Sequence, residues 1–122
     1  MTQAILIERV RQRFGPKAAV TDGSEIEPWL SDWRGRFHGQ SAAILAPSST
    51  LEAAEIVRMA GELGVPLVPQ GGNTGMVAGA TPPEDGSALI LSLRRMNRIR
   101  SIEAEGGVVV AEAGVILANL HD

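Results

Sequence analysis

Residues 65–80 read VPLVPQGGNTGMVAGA: a short apolar run passes directly into a loop holding Gly71, Gly72, Gly75 and Gly79. Val65-Pro66-Leu67-Val68-Pro69 has the length and β-branched content of a buried strand. Upstream, Ala42-Ala43-Ile44-Leu45-Ala46, stopped by Pro47, reads as another. Between the two, Ser49-Thr50-Leu51-Glu52 carries the S-x-x-E spacing of a capping box, which satisfies free N–H groups at a helix start. Ala53, Ile56, Val57, Ala60 and Leu63 follow on one helical face, and Gly64 is a natural C-terminal stop. Strand, helix and strand over residues 42–69 make a βαβ unit, whose two strands must run parallel.

The pattern extends in both directions. Downstream, Ser87–Leu91 reads as a third buried strand and Arg94-Arg95-Met96-Asn97 as a turn. Ile99–Ile102 and Val108–Ala111, separated by Glu105-Gly106-Gly107, predict a β-hairpin. Val115–Leu120 begins a helical pattern with no cap, Gly or Pro to end it, so the sequence reads as the N-terminal part of a truncated lobe. Upstream, Leu6, Val10 and Phe14 form one stripe of an N-terminal helix. Residues 15–40 read as an irregular arm with Trp29, Trp33 and Phe37, which with Phe14 are all the aromatics of the chain. Aromatic side chains carry large burial energies, so the arm is expected to lie across an apolar surface. The expected class is α+β, divided into a helix and arm at 1–40 and a lobe at 41–122.

Composition narrows the possible functions. A length of 122 residues with 44% apolar content is one globular domain's worth of chain. Eleven basic against fourteen acidic residues give a net charge of −3, the wrong balance for a nucleic-acid partner. Zero cysteines exclude disulfides, thiolate metal sites and a thiol nucleophile. His38 and His121 are the only histidines, and no metal site is expected. No apolar run is long enough for a membrane span. Arg9, Arg11 and Arg13 follow the first apolar run instead of preceding it, unlike a secretory signal, so a cytoplasmic location is expected.

The glycine loop carries the chemistry. Glycine costs backbone entropy and adds no side-chain contact, so its concentration after a strand suggests close approach of main-chain N–H groups to an anion. Asn73 and Thr74 add short polar groups beside those amides. Neither familiar nucleotide motif fits. There is no Gly-Lys pair for a Walker A loop, Gln70 stands where a Rossmann fingerprint needs its first glycine, and Pro82-Pro83 prevents a following helix. The residues alone leave two readings open: an anion- or nucleotide-binding loop, or tight turns without a ligand. Arg94, Arg95, Arg98 and Arg100 read as a solvated face or a phosphate contact, and His38 as a hydrogen-bonded structural residue. Trp29 and Trp33 read as packing residues, and Glu103, Glu105 and Glu112 as water-facing strand positions. No paired carboxylates suggest acid–base catalysis.

Pro66–Pro82 resembles the pyrophosphate loop of the vanillyl-alcohol-oxidase (PCMH) type of FAD-binding domain. Within that family the chain is most similar to the FAD-linked D-2-hydroxyacid dehydrogenases, the D-2-hydroxyglutarate and D-lactate dehydrogenases among them. Ser31–Gly35 with His38-Gly39, Ala46-Pro47, the capped helix, Leu91-Ser92-Leu93 with Met96-Asn97, and Val110–Gly114 occur in family order. The resemblance implies the first lobe of a PCMH-type domain. Pro69, Gln70, Gly71, Gly72, Asn73, Thr74, Gly75, Met76, Val77 and Gly79 would hold the FAD pyrophosphate and ribityl chain. Asn73 stands where berberine-bridge-type relatives carry a flavin-linked His, which implies noncovalent FAD. Ala78 and Ala80 replace a common Gly and Ser, and Ala78 needs either a negative φ or mild strain. The whole enzyme would pass electrons from a D-2-hydroxy acid through FAD to a second acceptor. No catalytic residue is assigned to this chain. The alternative is a stand-alone anion- or nucleotide-binding interaction module without redox activity.

Overall fold

The computed structural model describes residues 2–121. Helix α1 (Thr2–Phe14) buries Leu6 and Val10 completely, with Phe14 partly covered, so the expected stripe is the docking face. Helix α3 (Thr50–Leu63) starts on Ser49, whose hydroxyl accepts the Glu52 N–H at 3.2 Å. The capping box is only half as expected. Glu52 reaches back to the N–H and hydroxyl of Ser48, one residue beyond the cap. The helix ends on Gly64 in the left-handed region, with the Val65 N–H bonded to Ala60 C=O at 2.9 Å. Its buried face is Ile56, Met59 and Ala60; Val57, expected inside, is exposed, and Met59 takes its place.

Four strands form the main sheet in the order β1 (Ala19–Val20), β2 (Ile44–Leu45), β4 (Leu89–Ser92), β3 (Leu67–Gln70). Strands β2 and β3 are parallel, as the βαβ unit demands, but β4 lies between them and pairs in parallel with both. Neighbouring strand residues turn to opposite faces. Leu45, Leu89 and Leu91 join Leu6, Val10, Ile56 and Met59 in one cluster under α1 and α3. Ile44 and Ile90 join Ile26 and Leu30 in a second, with Trp29 packed against it. Full burial of each such aliphatic side chain contributes about 1.5–3 kcal/mol.

The second cluster corrects the reading of residues 15–40 as irregular. The arm contains β1, a one-turn helix α2 (Gly23–Ile26), 3₁₀ turns at Pro16–Ala18 and Glu27–Trp29, and a bridge between Ser31 and His38. It covers one face of the sheet as the helices cover the other. β1 pairs antiparallel with β2 at the sheet's edge, and the Arg11 guanidinium donates to the Ala19 carbonyl at 3.0 Å. Ala19 and Val20 carry no alternation long enough to read as a strand; the neighbouring β2 edge and Arg11 supply what their sequence lacks.

Beyond β4, strands β5 (Ile99–Glu103) and β6 (Val108–Ala111) pair only with each other, with a register shift between Ile99 and Ser101. Helix α4 (Leu117–His121) follows. Glu112, expected to face water, is instead covered: its side chain is 6% exposed and accepts from the Arg98 N–H at 3.0 Å and Arg100 at 3.1 Å. Gly114 lies so close to the turn after β4 that a Cβ there would sit 1.8 Å from the Leu93 carbonyl oxygen. No helix among the described residues is long and apolar enough to cross a membrane.

Candidate functional site

The glycine loop leaves the carboxyl end of β3, where Gln70 pairs in register with Ser92 of β4. Crevices at the carboxyl ends of parallel strands are where open α/β sheets bind ligands. Pro69 is exposed and Gln70 is 2% exposed. Gly71 and Asn73 are half-buried, while Gly72, Thr74, Gly75, Met76, Val77 and Gly79 lie on the surface, Val77 at 90% exposure.

None of the four loop glycines has a positive φ, and a Cβ added to any of them would meet no protein atom within 4 Å. Neither backbone conformation nor packing inside this chain therefore calls for glycine. What the absent side chains provide is bare main chain open to the outside, which suits a group approaching the loop's N–H groups. The left-handed positions fall elsewhere, at Asn73 (φ 58°) and Ala78 (φ 60°). For Ala78 the structure selects strain, of the order of 1 kcal/mol. Asparagine tolerates the region better.

The side chains of Gln70 and Asn73 do not face the open side of the loop. Gln70 Nε2 donates to the carbonyls of Trp29 at 2.9 Å and Ala80 at 3.1 Å, closing the loop at its base. Asn73 Nδ2 donates to the Ser31 carbonyl at 2.8 Å. Both fasten the loop to the arm. The sequence signalled an arm lying on an apolar surface. Ile26 and Leu30, with Trp29 packed against them, make that contact, whereas Trp33, expected to pack, and Phe37 are mostly exposed. Nor did the sequence signal which loop residues catch the arm. Main-chain carbonyls such as those of Trp29 and Ser31 leave no compositional trace.

The arm has its own organising group. Asp32 is buried, and its carboxylate accepts the Phe37 N–H at 2.8 Å. That bond, with further N–H groups at Arg36 and Arg34, holds its pKa below the usual carboxylate range against the opposing effect of desolvation. The turn it stabilises presents Trp33 (65% exposed) and Phe37 (56% exposed). Between Phe37, His38, Ala78, Thr81, Pro82 and Glu84 lies a cavity of about 130 Å³, and the Thr81 hydroxyl is buried without a partner. A buried unpaired hydroxyl is costly unless a water or ligand atom reaches it. His38 bonds Glu27 at 2.8 Å, in keeping with a structural role.

A second cleft, of about 610 Å³, is lined by Arg11, Lys17, Arg94 and Arg95 together with Asp22 and Glu25. Its arginines are already engaged: Arg11 with Ala19 and Thr21, Arg95 with the Ala46 carbonyl at 2.7 Å, and Arg94 over the Trp29 ring. The two carboxylates offset much of the remaining positive field. The glycine loop is the better candidate site.

The family model described as FAD binding domain matches residues 41–122. The D-2-hydroxyglutarate dehydrogenase, mitochondrial, of Bos taurus is 41% identical over 109 residues, covering 89% of this chain and 20% of that protein. The D-2-hydroxyglutarate–pyruvate transhydrogenase of Saccharomyces cerevisiae is 35% identical over 97 residues, covering 80% of this chain and 19% of its own length. The chain thus spans about a fifth of the length of these curated relatives. Among solved structures, p-cresol methylhydroxylase superposes with a TM-score of 0.80 at 17% identity, over 99% of this chain and 24% of that one. Alkyldihydroxyacetonephosphate synthase gives 0.81 at 18% identity, over 96% and 24%. At such identities the likeness is one of fold.

Proposed function

The chain belongs to the FAD binding domain family, and from that premise we propose that its glycine loop, Pro69–Val77 with Gly79, binds the FAD pyrophosphate, the main-chain N–H groups that follow Pro69 donating to it. The chain is then part of a longer FAD-dependent oxidoreductase. The whole polypeptide would oxidise a D-2-hydroxy acid of the 2-hydroxyglutarate or lactate type to its 2-oxo acid. The relatives' names support this substrate class. The single observation that carries the reading is the set of four glycines whose missing side chains nothing inside the chain requires.

FAD supplies a two-electron acceptor when bound, the hydroxy acid giving up two electrons and two protons in becoming the oxo acid. This chain's contribution is binding and orientation. The bare amides of 71–79 grip the anionic bridge, while Gln70 and Asn73 hold the loop that presents them. Asn73 offers no imidazole for attachment to the flavin, and its amide nitrogen is held by Ser31. This position therefore forms no bond to the flavin, and the proposal is of a noncovalent cofactor.

The reading is tested on the whole polypeptide that carries this chain. It should purify yellow, release intact FAD on denaturation, and bleach anaerobically on adding D-2-hydroxyglutarate or D-lactate. A preparation that is colourless and stays so with added FAD contradicts flavin binding. Pigment that remains attached after denaturation contradicts noncovalent binding.

A further inference from the structure

The seam between arm and loop is held at four points along its length. Gln70 donates to the Trp29 carbonyl at 2.9 Å and Asn73 to the Ser31 carbonyl at 2.8 Å. The Gln40 N–H donates to the Pro83 carbonyl at 3.1 Å. At Gly39 the arm comes so near the loop's exit that a Cβ would stand 1.9 Å from the Pro82 carbonyl oxygen. Two of these four links are loop side chains at positions where the sequence suggests cofactor contact, and both point away from the bare glycine face.

From this geometry, and resting on the proposed binding of FAD by the loop, we infer that Gln70 and Asn73 are positioning residues that make the arm at 29–39 one jaw of a clamp, fixing the loop in its cofactor-binding conformation. A loop of small, mostly exposed residues with few contacts of its own has many conformations to lose on binding. Side-chain amides bonded to a rigid neighbour remove part of that cost beforehand. Asn73 does so in two ways: it occupies the left-handed region with less strain than most residues, and it ties that position to Ser31. The arm is rigid at this point because the buried Asp32 carboxylate fixes its turn and the Gly39 N–H bonds the Leu30 carbonyl at 2.8 Å. Coupling of this kind is reciprocal: if the arm favours FAD binding, bound FAD must stabilise the arm by the same factor.

The test uses the whole polypeptide, with FAD affinity measured by titration and hydrogen exchange followed at the Phe37 and Gly39 amides with and without FAD. Asn73→Asp keeps the shape and the left-handed tolerance but turns an acceptor toward the Ser31 carbonyl and adds a negative charge beside the anion site, so the uncharged Asn73→Gly carries the affinity test. Asn73→Gly keeps φ and removes the tether. Gly39→Ala pushes the jaws apart from the arm side, its methyl pressing on Pro82 at the loop's exit, and should weaken FAD binding as the Asn73 variants do. FAD should slow exchange at Phe37 and Gly39 in the wild type. Asn73→Asp should weaken FAD binding by about tenfold or more and abolish that protection. Asn73→Gly should weaken binding in the same direction and abolish the FAD-dependent protection at Phe37 and Gly39. A merely structural bond would lower the apo unfolding temperature and leave the FAD-dependent protection intact, which overturns the inference. So does binding within twofold of wild type in Asn73→Gly. A wild type that binds FAD tightly with no change in the arm refutes the clamp alone; one that takes up no FAD refutes the loop reading and the clamp with it.

Discussion

Strands β4 and β6 are both four residues long and both aliphatic, LILS against VVVA, yet every residue of β4 is buried and every residue of β6 is exposed. The difference lies in what surrounds them. β4 has a parallel partner on each side, two helices over one face and the arm over the other. β6 has β5 alone, and a lone two-stranded hairpin is marginal in water. Val109 and Ile102, paired across the hairpin on one face, and Val108 and Val110 on the other are all left exposed. Apolar sequence thus specifies a strand, but the presence of a second surface decides whether that strand becomes core.

The largest expected effect is in the sheet. Leu89→Ala should destabilise residues 1–122 by about 2–5 kcal/mol, through lost transfer energy and a residual cavity. Val109→Ala should change it by less than about 0.5 kcal/mol. Denaturant unfolding measures both. In the whole polypeptide the Val109 effect should grow if the hairpin is covered there, and an unchanged small effect would show that the face stays open.

Gly114→Ala comes next. Its methyl would sit against the Leu93 carbonyl where hairpin and sheet meet, and overpacking of this sort costs about 1–3 kcal/mol. Hydrogen exchange should accelerate across β5 and β6 while β4 keeps its protection; equal acceleration in both would mean the two regions fold as one unit.

The smallest effect is that of pH. The Arg98 N–H foremost, then Arg100, holds the Glu112 carboxyl below its ordinary pKa. A depressed folded pKa contributes stability that is present above the unfolded value and lost as pH falls through the folded one. Protection of the hairpin amides should therefore decline below roughly pH 4, the range where free carboxylates protonate. Glu112→Gln should remove that pH dependence, leaving the β4 amides unaffected.

Much of the fold was legible because it rests on local signals. The Ser49 cap, the Gly64 stop, the α1 stripe, the hairpin turn and the parallel run of β2 and β3 each follow from short-range spacing. What escaped was decided by tertiary contact. Ala19–Val20 becomes a strand because β2 offers an edge and Arg11 caps the other side. β4 inserts between β2 and β3, an order that follows from pairing between strands far apart in sequence. Met59 displaces Val57 because the helix rotates to fit α1 and the sheet. At the candidate site the concentration of glycine was readable. The use of Gln70 and Asn73 as tethers to the arm was not, because the arm carbonyls that accept from them lie more than forty residues away.

The central claim, that the loop's exposed main chain grips the FAD pyrophosphate, is tested most directly at Gly72. A methyl there meets nothing within 4 Å in this chain, so Gly72→Ala should leave apo stability within about 0.5 kcal/mol. In the whole polypeptide the same methyl should obstruct the cofactor and weaken FAD binding by roughly tenfold or more, about 1.4 kcal/mol. A Gly72→Ala protein that binds FAD as tightly as the wild type would contradict the account.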